Sequence, residues 1–228
     1  VGIVGGGLSG RFAARLLSDL GHEVTVYDKG RRASGRLSDR TSSDGTPFQL
    51  GAPKVEGWPA WAERHVQDWI ERGYLSDDGE HPVATLPPLL NHLGEGLNVC
   101  QLHRVDGLEV TDKGARLRII SPDGPMEVEH DHVLVAAPLE QSRALLDTAG
   151  IHVDGRSEAC WVAWGPAPDH AIEAPEGWTL TRRGQDKATL EVRLDPEQSA
   201  ADLERSLPDM AVVVATTVWL RSTFLTLL

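Results

Sequence analysis

The apolar pattern of the chain changes period several times, and the first changes are the sharpest. Residues 1–4 are Val-Gly-Ile-Val, a short apolar run that suits a parallel strand buried on both faces. Leu8, Phe12, Leu16, Leu17 and Leu20 then recur at helical spacing, which predicts a helix with these five on one side. Gly21 is a natural stop for it. Residues 24–27, Val-Thr-Val-Tyr, are β-branched and aromatic and predict a second strand that ends at Asp28.

Beyond this opening the pattern loosens and then tightens again. Residues 37–55 read as loop and short strand, with a turn at Ser42-Ser43-Asp44-Gly45. Trp58, Trp61, His65, Trp69 and Ile70 predict a helix over 58–75 with its aromatic residues on one face. An acidic loop follows at 76–82, then a short helix from Pro87 to Leu93. From 98 the texture is that of strands: 99–105 as one, then 107–111, 115–120 and 126–129 as a meander turning at Lys113-Gly114 and Asp123-Gly124. Leu117 and Ile119 alternate with Arg116 and Arg118, as on a half-exposed sheet. Residues 133–137 read as a buried parallel strand that returns to the first sheet, followed by a helix at 140–148. Strands at 160–164, 178–181 and 188–194 come next. A helix over 195–207 is announced by Asp195, Pro196 and Gln198. Residues 211–220 predict a long β-branched strand.

This order places a βαβ unit first, then an inserted helical segment, a meander, a return strand and a separate antiparallel sheet. The expected class is α/β, with one domain of parallel sheet and β-meander and a second, antiparallel-sheet α+β domain. The first is discontinuous, at 1–55, 97–148 and 208–228, and the second takes 56–96 and 149–207.

The opening also carries the chemistry. Between the first strand and the helix stands Gly5-Gly6-Gly7-Leu8-Ser9-Gly10, a G-x-G-x-x-G turn in the strand–turn–helix–strand–acid context that a dinucleotide fingerprint requires. Gly5 permits the tight turn. Gly7 lets a pyrophosphate approach the backbone. Gly10 lets the helix pack close to the sheet. The helix N-terminus offers N–H groups and the positive end of its dipole to a phosphate. Asp28 stands where a carboxylate accepts both ribose hydroxyls and repels a 2′-phosphate. The following Gly35-Arg36 matches the second half of a Gly-Gly-Arg element, with Ser34 in place of the first Gly. A guanidinium there binds pyrophosphate oxygens. That favours FAD over NAD, so the first domain is expected to be a Rossmann-like FAD-binding domain with a parallel sheet and β-meander, and the second an antiparallel-sheet α+β substrate domain.

Composition narrows the partners. The chain has 228 residues and a net charge of −12. That balance disfavours nucleic acid and anionic membranes. Cys100 and Cys160 are far apart, so no disulfide framework or redox pair is implied and a cytoplasmic setting fits. No apolar run is long enough for a membrane helix. His130 and His132 lie two apart, but no third ligand accompanies them and no metal is expected. The start at Val1, already inside a strand, and the apolar end 223–228 lead to the expectation that the gene product is longer.

With these motifs, the chain resembles the renalase-type FAD-dependent oxidoreductases, relatives of the flavin amine oxidases. The likeness runs through Val1–Arg36, Phe48-Gln49-Leu50-Gly51-Ala52, the tryptophan-bearing helix ending at Gly73, Asp131–Gln141 and Cys160-Trp161-Val162-Ala163. The resemblance implies FAD contacts at Gly5, Gly7, Leu8, Ser9, Gly10, Asp28, Lys29, Arg36, Leu37, Gly51, Ala52, Val105 and Ala137. Ala52 would lie near the flavin ring and the Val105 backbone near the adenine. It also implies oxidation of a small reduced substrate, either dihydro-NAD(P) isomers or an amine. Hydride would pass to the flavin and dioxygen would act as acceptor. No side-chain acid or base is obligatory for that step, so no catalytic residue is named. Where the family has Gln and an aromatic residue after Gly51-Ala52, this chain has Pro53 and Lys54, and no Gly-Asp element follows Leu220. A second reading of a different class rests on these departures: a degenerate, non-catalytic dinucleotide-binding protein.

Overall fold

The computed structural model describes residues 1–41, 45, 47–49, 51–52 and 54–155, together with the backbone of five later strands. The turn at 42–44, Pro53, and the helix expected over 195–207 lie outside the described residues. The chain divides into two compact units. One comprises Val1–Leu37, Leu86–Arg156 and Leu220–Leu228, and the other Ser38–Thr85 and Ser157–Trp219.

The first unit is built on the strand–helix–strand of the opening: β1 (Gly2–Val4), α1 (Leu8–Asp19) and β2 (Thr25–Asp28). It continues with α3 (Pro87–Gly94), β5 (Asn98–Gln101), a meander of β6 (Arg104–Thr111), β7 (Gly114–Ser121) and β8 (Gly124–His130), then β9 (Val133–Val135), α4 (Leu139–Asp147) and β14 (Thr226–Leu227). The main sheet has the order β14-β9-β1-β2-β5. Its β9, β1, β2 and β5 run parallel, while β14 pairs antiparallel with β9.

Alternation along these strands sorts their side chains onto two faces. Ile3, Val26 and Leu134 join Ala14 and Val24 in one cluster. Val4, Tyr27, Val133 and Val135 join Leu108, Leu117, Ile119, Leu145 and Leu146 in another. The sheet is thus covered by α1 on one face and by the meander and α4 on the other, which is why β1 and β9 read as unbroken apolar runs. Thr148, just past α4, ties that helix to the meander: its Oγ1 accepts from the Leu108 N–H at 2.9 Å.

Three details depart from the pattern read off the sequence. Leu20 does not share the buried stripe of α1; it follows the last helical turn and is 76% exposed. The inner face is completed instead by Gly10, Arg11 and Ala14. The single strand placed at 99–105 is two strands in two sheets. Leu102, with φ of 60°, bends the chain between β5 and β6. The strand bearing His130 ends there, so Asp131 and His132 do not continue its alternation.

The second unit holds a hairpin of β3 (Asp39–Thr41) and β4 (Pro47–Gln49), a short 3-10 turn at Ala60–Ala62 and α2 (Glu63–Glu71). It also holds a sheet of β10 (Glu158–Pro166), β11 (Trp178–Arg182), β12 (Lys187–Arg193) and β13 (Ala215–Trp219), in the order β11-β12-β10-β13. Trp69 is the anchor of α2. It is fully buried and meets Trp58 edge to face at 5.3 Å between ring centroids. Trp61 leaves that face and is exposed.

Two segments group differently from the expected domain division. Helix α3, placed with the substrate segment 56–96, belongs to the first unit, where α1 donates side-chain hydrogen bonds to its carbonyls. The strand placed with 208–228 in the nucleotide domain pairs antiparallel with β10 in the second unit.

One contact gives the first unit a pH response. His130 lies across Gly2, where a Cβ would sit 2.5 Å from the imidazole, and its Nε2 meets the Tyr27 hydroxyl at 3.0 Å. Burial holds the His130 pKa below its ordinary value. The unfolded chain therefore binds more protons here, and stability rises with pH across this window. The contribution is complete above the ordinary histidine value and is lost as pH falls through the folded one. Urea midpoints should fall between about pH 7.5 and pH 5. In His130→Gln, which keeps a polar partner for Tyr27, that fall should be smaller.

Candidate dinucleotide-binding site

The site is made by the exit of β1. Gly5 has φ of +106°, and a Cβ on it would press within 2.8 Å of the Ala136 carbonyl oxygen. A Cβ on Gly10 would collide with the Gly5 carbonyl oxygen. Only two glycines let α1 start this close to the strand that feeds it. Gly7 differs from both: a Cβ there would meet nothing within 4 Å. Its side of the turn is open, as a cradle for a ligand phosphate must be.

Helix α1 begins immediately beyond. Gly7 is its N-cap, no side chain caps the N-terminus, and the first turn contains no acidic residue. The leading amides of a helix have no intrahelical acceptor, so those of Leu8 and Ser9 and the positive dipole end are left for an anion. Leu8 is half-buried and Ser9 exposed.

Asp28 closes the site from the tip of β2. Its Oδ2 accepts from the Gly6 N–H at 2.5 Å and its Oδ1 from the Gly30 N–H at 2.6 Å. A carboxylate has about four acceptor positions, so two amides leave room for ribose hydroxyls. The Asp28 carbonyl accepts from the His103 N–H at 2.9 Å, and the Gly30 carbonyl from the Leu102 N–H at 3.1 Å. These bonds tie the residues that lead into β6 to the backbone at the tip of β2, and Val105 packs on the cluster that includes Tyr27.

Of the residues singled out in the sequence, Gly5, Gly7, Leu8, Ser9, Gly10, Asp28 and Ala137 gather at this one edge of the sheet. Ala137 follows β9; its N is 3.1 Å from where a Gly5 Cβ would stand, and its carbonyl accepts from the Ser142 hydroxyl at 2.8 Å. Lys29 is exposed in the adjoining loop with Arg31 and Arg32. Arg36 lies in a 3-10 turn, Gly35–Leu37, beside the buried Leu37, and burial lowers its pKa. This loop concentrates cations beside the turn of an otherwise acidic chain, which raises the local concentration of anionic ligands. Gly51 and Ala52 are in the second unit, both buried, and the Gly51 N–H donates to the Ser38 carbonyl at 2.8 Å. Nearby Lys54 pairs with Glu56 at 2.6 Å and Glu80 at 3.0 Å.

One participant is absent from the sequence reading. Arg11 is only 4% exposed; its Nε donates to the Gly6 carbonyl at 2.9 Å and its Nη1 to that of Leu90 at 3.1 Å. The signal lay in the spacing. Residue 11 falls between Gly10 and Phe12, three positions after Leu8, on the face that the apolar stripe assigns to the interior. Among the described residues, no group of three or more His, Cys, Asp or Glu is placed to hold a metal ion. None of the described helices is long and apolar enough to cross a membrane.

Residues 3–71 match the family model of the NAD(P)-binding Rossmann-like domain. Among solved structures, the chain is similar to p-nitrophenol 4-monooxygenase PnpA from Pseudomonas putida DLL-E4. Identity is 15%, the TM-score is 0.57, and the match covers all of this chain and 66% of PnpA. It is similar to the flavin-dependent monooxygenase PieE, solved in complex with FAD and substrate, at 16% identity and a TM-score of 0.58, over 96% of this chain and 49% of PieE. It is also similar to a CLA-producing fatty acid isomerase from P. acnes, at 11% identity and a TM-score of 0.64, over 96% of this chain and 85% of that one. The chain spans about half to two thirds of the length of the two monooxygenases.

Removing the Asp28 carboxylate tests the local geometry without any ligand. Asp28→Ala strands the Gly6 and Gly30 amides and should cost roughly 1–3 kcal/mol for each that stays shielded from water. Asp28→Asn keeps an acceptor and should cost less; urea denaturation of the two variants reads the difference. The glycine turn, the uncapped α1 and the acid at the β2 tip together make this a Rossmann-type α/β fold joined to a separate antiparallel sheet, the architecture shared with the flavin-dependent monooxygenases.

Proposed function

We propose that this chain binds FAD at the Gly5–Gly10 turn and belongs to a flavin-dependent oxidoreductase acting on a small molecule. The observation that carries the reading is the open side of Gly7 facing an uncapped helix N-terminus. In this reading the amides of Gly7, Leu8 and Ser9 hold the pyrophosphate, and Asp28 takes the hydroxyls of the adenosine ribose. Lys29 and Arg36 add positive charge beside the phosphates. The Val105 backbone borders the adenine, and Leu37 and Ala137 border the cofactor. Bound FAD supplies hydride acceptance and electron transfer to dioxygen; the protein's share is to bind, orient and shield. The fold shared with PnpA and PieE supports a flavin protein.

The finer reading is of renalase type: oxidation of dihydro-NAD(P) isomers or an amine, with dioxygen as acceptor. It rests on the stretches at 48–52, 131–141 and 160–163. The proposal includes a cytoplasmic location, on the two separated cysteines, and no nucleic-acid or membrane partner, on the net charge of −12.

The test is a visible spectrum of the purified chain after saturation with FAD and desalting. Retained bands near ~375 and ~450 nm, those of oxidised flavin, are the expected result. A colourless protein would contradict FAD binding and leave the degenerate nucleotide binder. Anaerobic addition of a dihydronicotinamide isomer should then bleach the longer-wavelength band. Retention of colour with every isomer and amine tried would remove the renalase-type substrate while leaving the flavin.

A further inference from the structure

We propose that Arg11 is a positioning residue for phosphate recognition: by holding the Gly6 carbonyl on the inner side of the turn, it aims the Gly7 N–H at the ligand's diphosphate. The inference rests on the dinucleotide-binding reading of the turn.

The argument starts from the peptide plane. In a trans peptide the C=O of one residue and the N–H of the next point in opposite directions. Arg11 Nε donates to the Gly6 carbonyl from inside the fold. The Gly7 N–H must therefore point the other way, and among the glycines of the turn only at Gly7 would a Cβ meet nothing. The preceding peptide is fixed as well, since its Gly6 N–H donates to Asp28 Oδ2. Gly6 is thus gripped by a carboxylate at its N–H and by a guanidinium at its C=O, and neither peptide can flip without breaking a charge-assisted bond.

Such a placement is costly for stability alone. A guanidinium 4% exposed to solvent has surrendered most of its hydration. The two partners named above are neutral backbone carbonyls, Gly6 and Leu90. Space has been made for it: a Cβ on Gly94 of α3 would collide with Nη1. Asp28 is the anionic neighbour whose field reaches it. A bound diphosphate would bring a second anionic group to the far side of the same peptide, where the buried positive charge adds to the α1 dipole. An apolar side chain would fill the same volume without desolvating a charge, but it would leave the Gly6 and Leu90 carbonyls without this donor; the charge and fork geometry supply what packing does not.

A purely structural Arg11, one that only ties α1 to α3, predicts something different. Its loss would loosen the whole site and weaken every ligand alike. A residue that aims an amide at phosphate affects only ligands that carry phosphate. Titration calorimetry with ADP and with adenosine separates the two. The wild-type chain should bind ADP more tightly than adenosine. In Arg11→Met, ADP should weaken by about tenfold, on the order of one charge-assisted hydrogen bond, while adenosine stays within about twofold, a few tenths of a kcal/mol. Equal weakening of both ligands, or an unchanged preference for ADP, would overturn the inference and leave the dinucleotide reading intact. A wild-type chain that binds neither ligand would overturn both. Should Arg11→Met fail to fold, Arg11→Lys takes its place. It keeps the charge and a donor for Gly6 but loses the fork to Leu90. A smaller loss confined to ADP supports the role, and an equal loss for adenosine contradicts it.

Discussion

Helix α1 can begin where it does only because Gly5 and Gly10 carry no side chains. A Cβ on Gly10 would collide with the Gly5 carbonyl oxygen, and one on Gly5 would press on the backbone after β9. This three-way approach of β1, α1 and the end of β9 sets the geometry of the first unit. It brings the uncapped amides of α1 to the sheet edge, places Ala137 beside the turn, and leaves Gly7 facing open space. The tip of β2 is drawn in by the Gly6 N–H on Asp28, and the start of β6 by bonds from Leu102 and His103. The chain shares this fold with PnpA at only 15% identity.

Charge divides in the same way. The chain carries −12 overall, yet the loop after β2 is dense in Lys and Arg, and a buried Arg lies beneath the turn. No acidic residue stands in the first turn of α1. The loop after β2 is therefore a local basic stretch in a chain that is acidic overall.

The first unit was largely legible in the sequence because its signals are local. The glycine spacing, the apolar runs of β1 and β9 and the Leu117/Ile119 alternation each report on residues a few positions apart. What escaped was set by distant partners. Residues 99–105 contain no Gly or Pro to mark a break, and it is pairing with β2 on one side and β7 on the other that divides them at Leu102. The strand at 215–219 has no local mark to assign it to β10 rather than to the parallel sheet. Leu20 fits the helical stripe in spacing but falls past the last turn that faces the sheet. The spacing puts Arg11 on the inward face of α1, but the carbonyl it meets on α3 is about eighty residues away in sequence. Within the candidate site, the fingerprint and Asp28 were readable; the contact that orients the Gly6–Gly7 peptide was not.

The central claim is that a dinucleotide's phosphates rest on the backbone amides between Gly7 and Ser9. The most direct measurement is an amide ¹H–¹⁵N correlation spectrum of the chain as FAD is added. The largest shifts should fall on Gly6, Gly7, Leu8, Ser9 and Gly10, with a second group at Gly30 and His103 beside Asp28. Shifts clustered elsewhere, with these amides unmoved at saturation, would contradict the account.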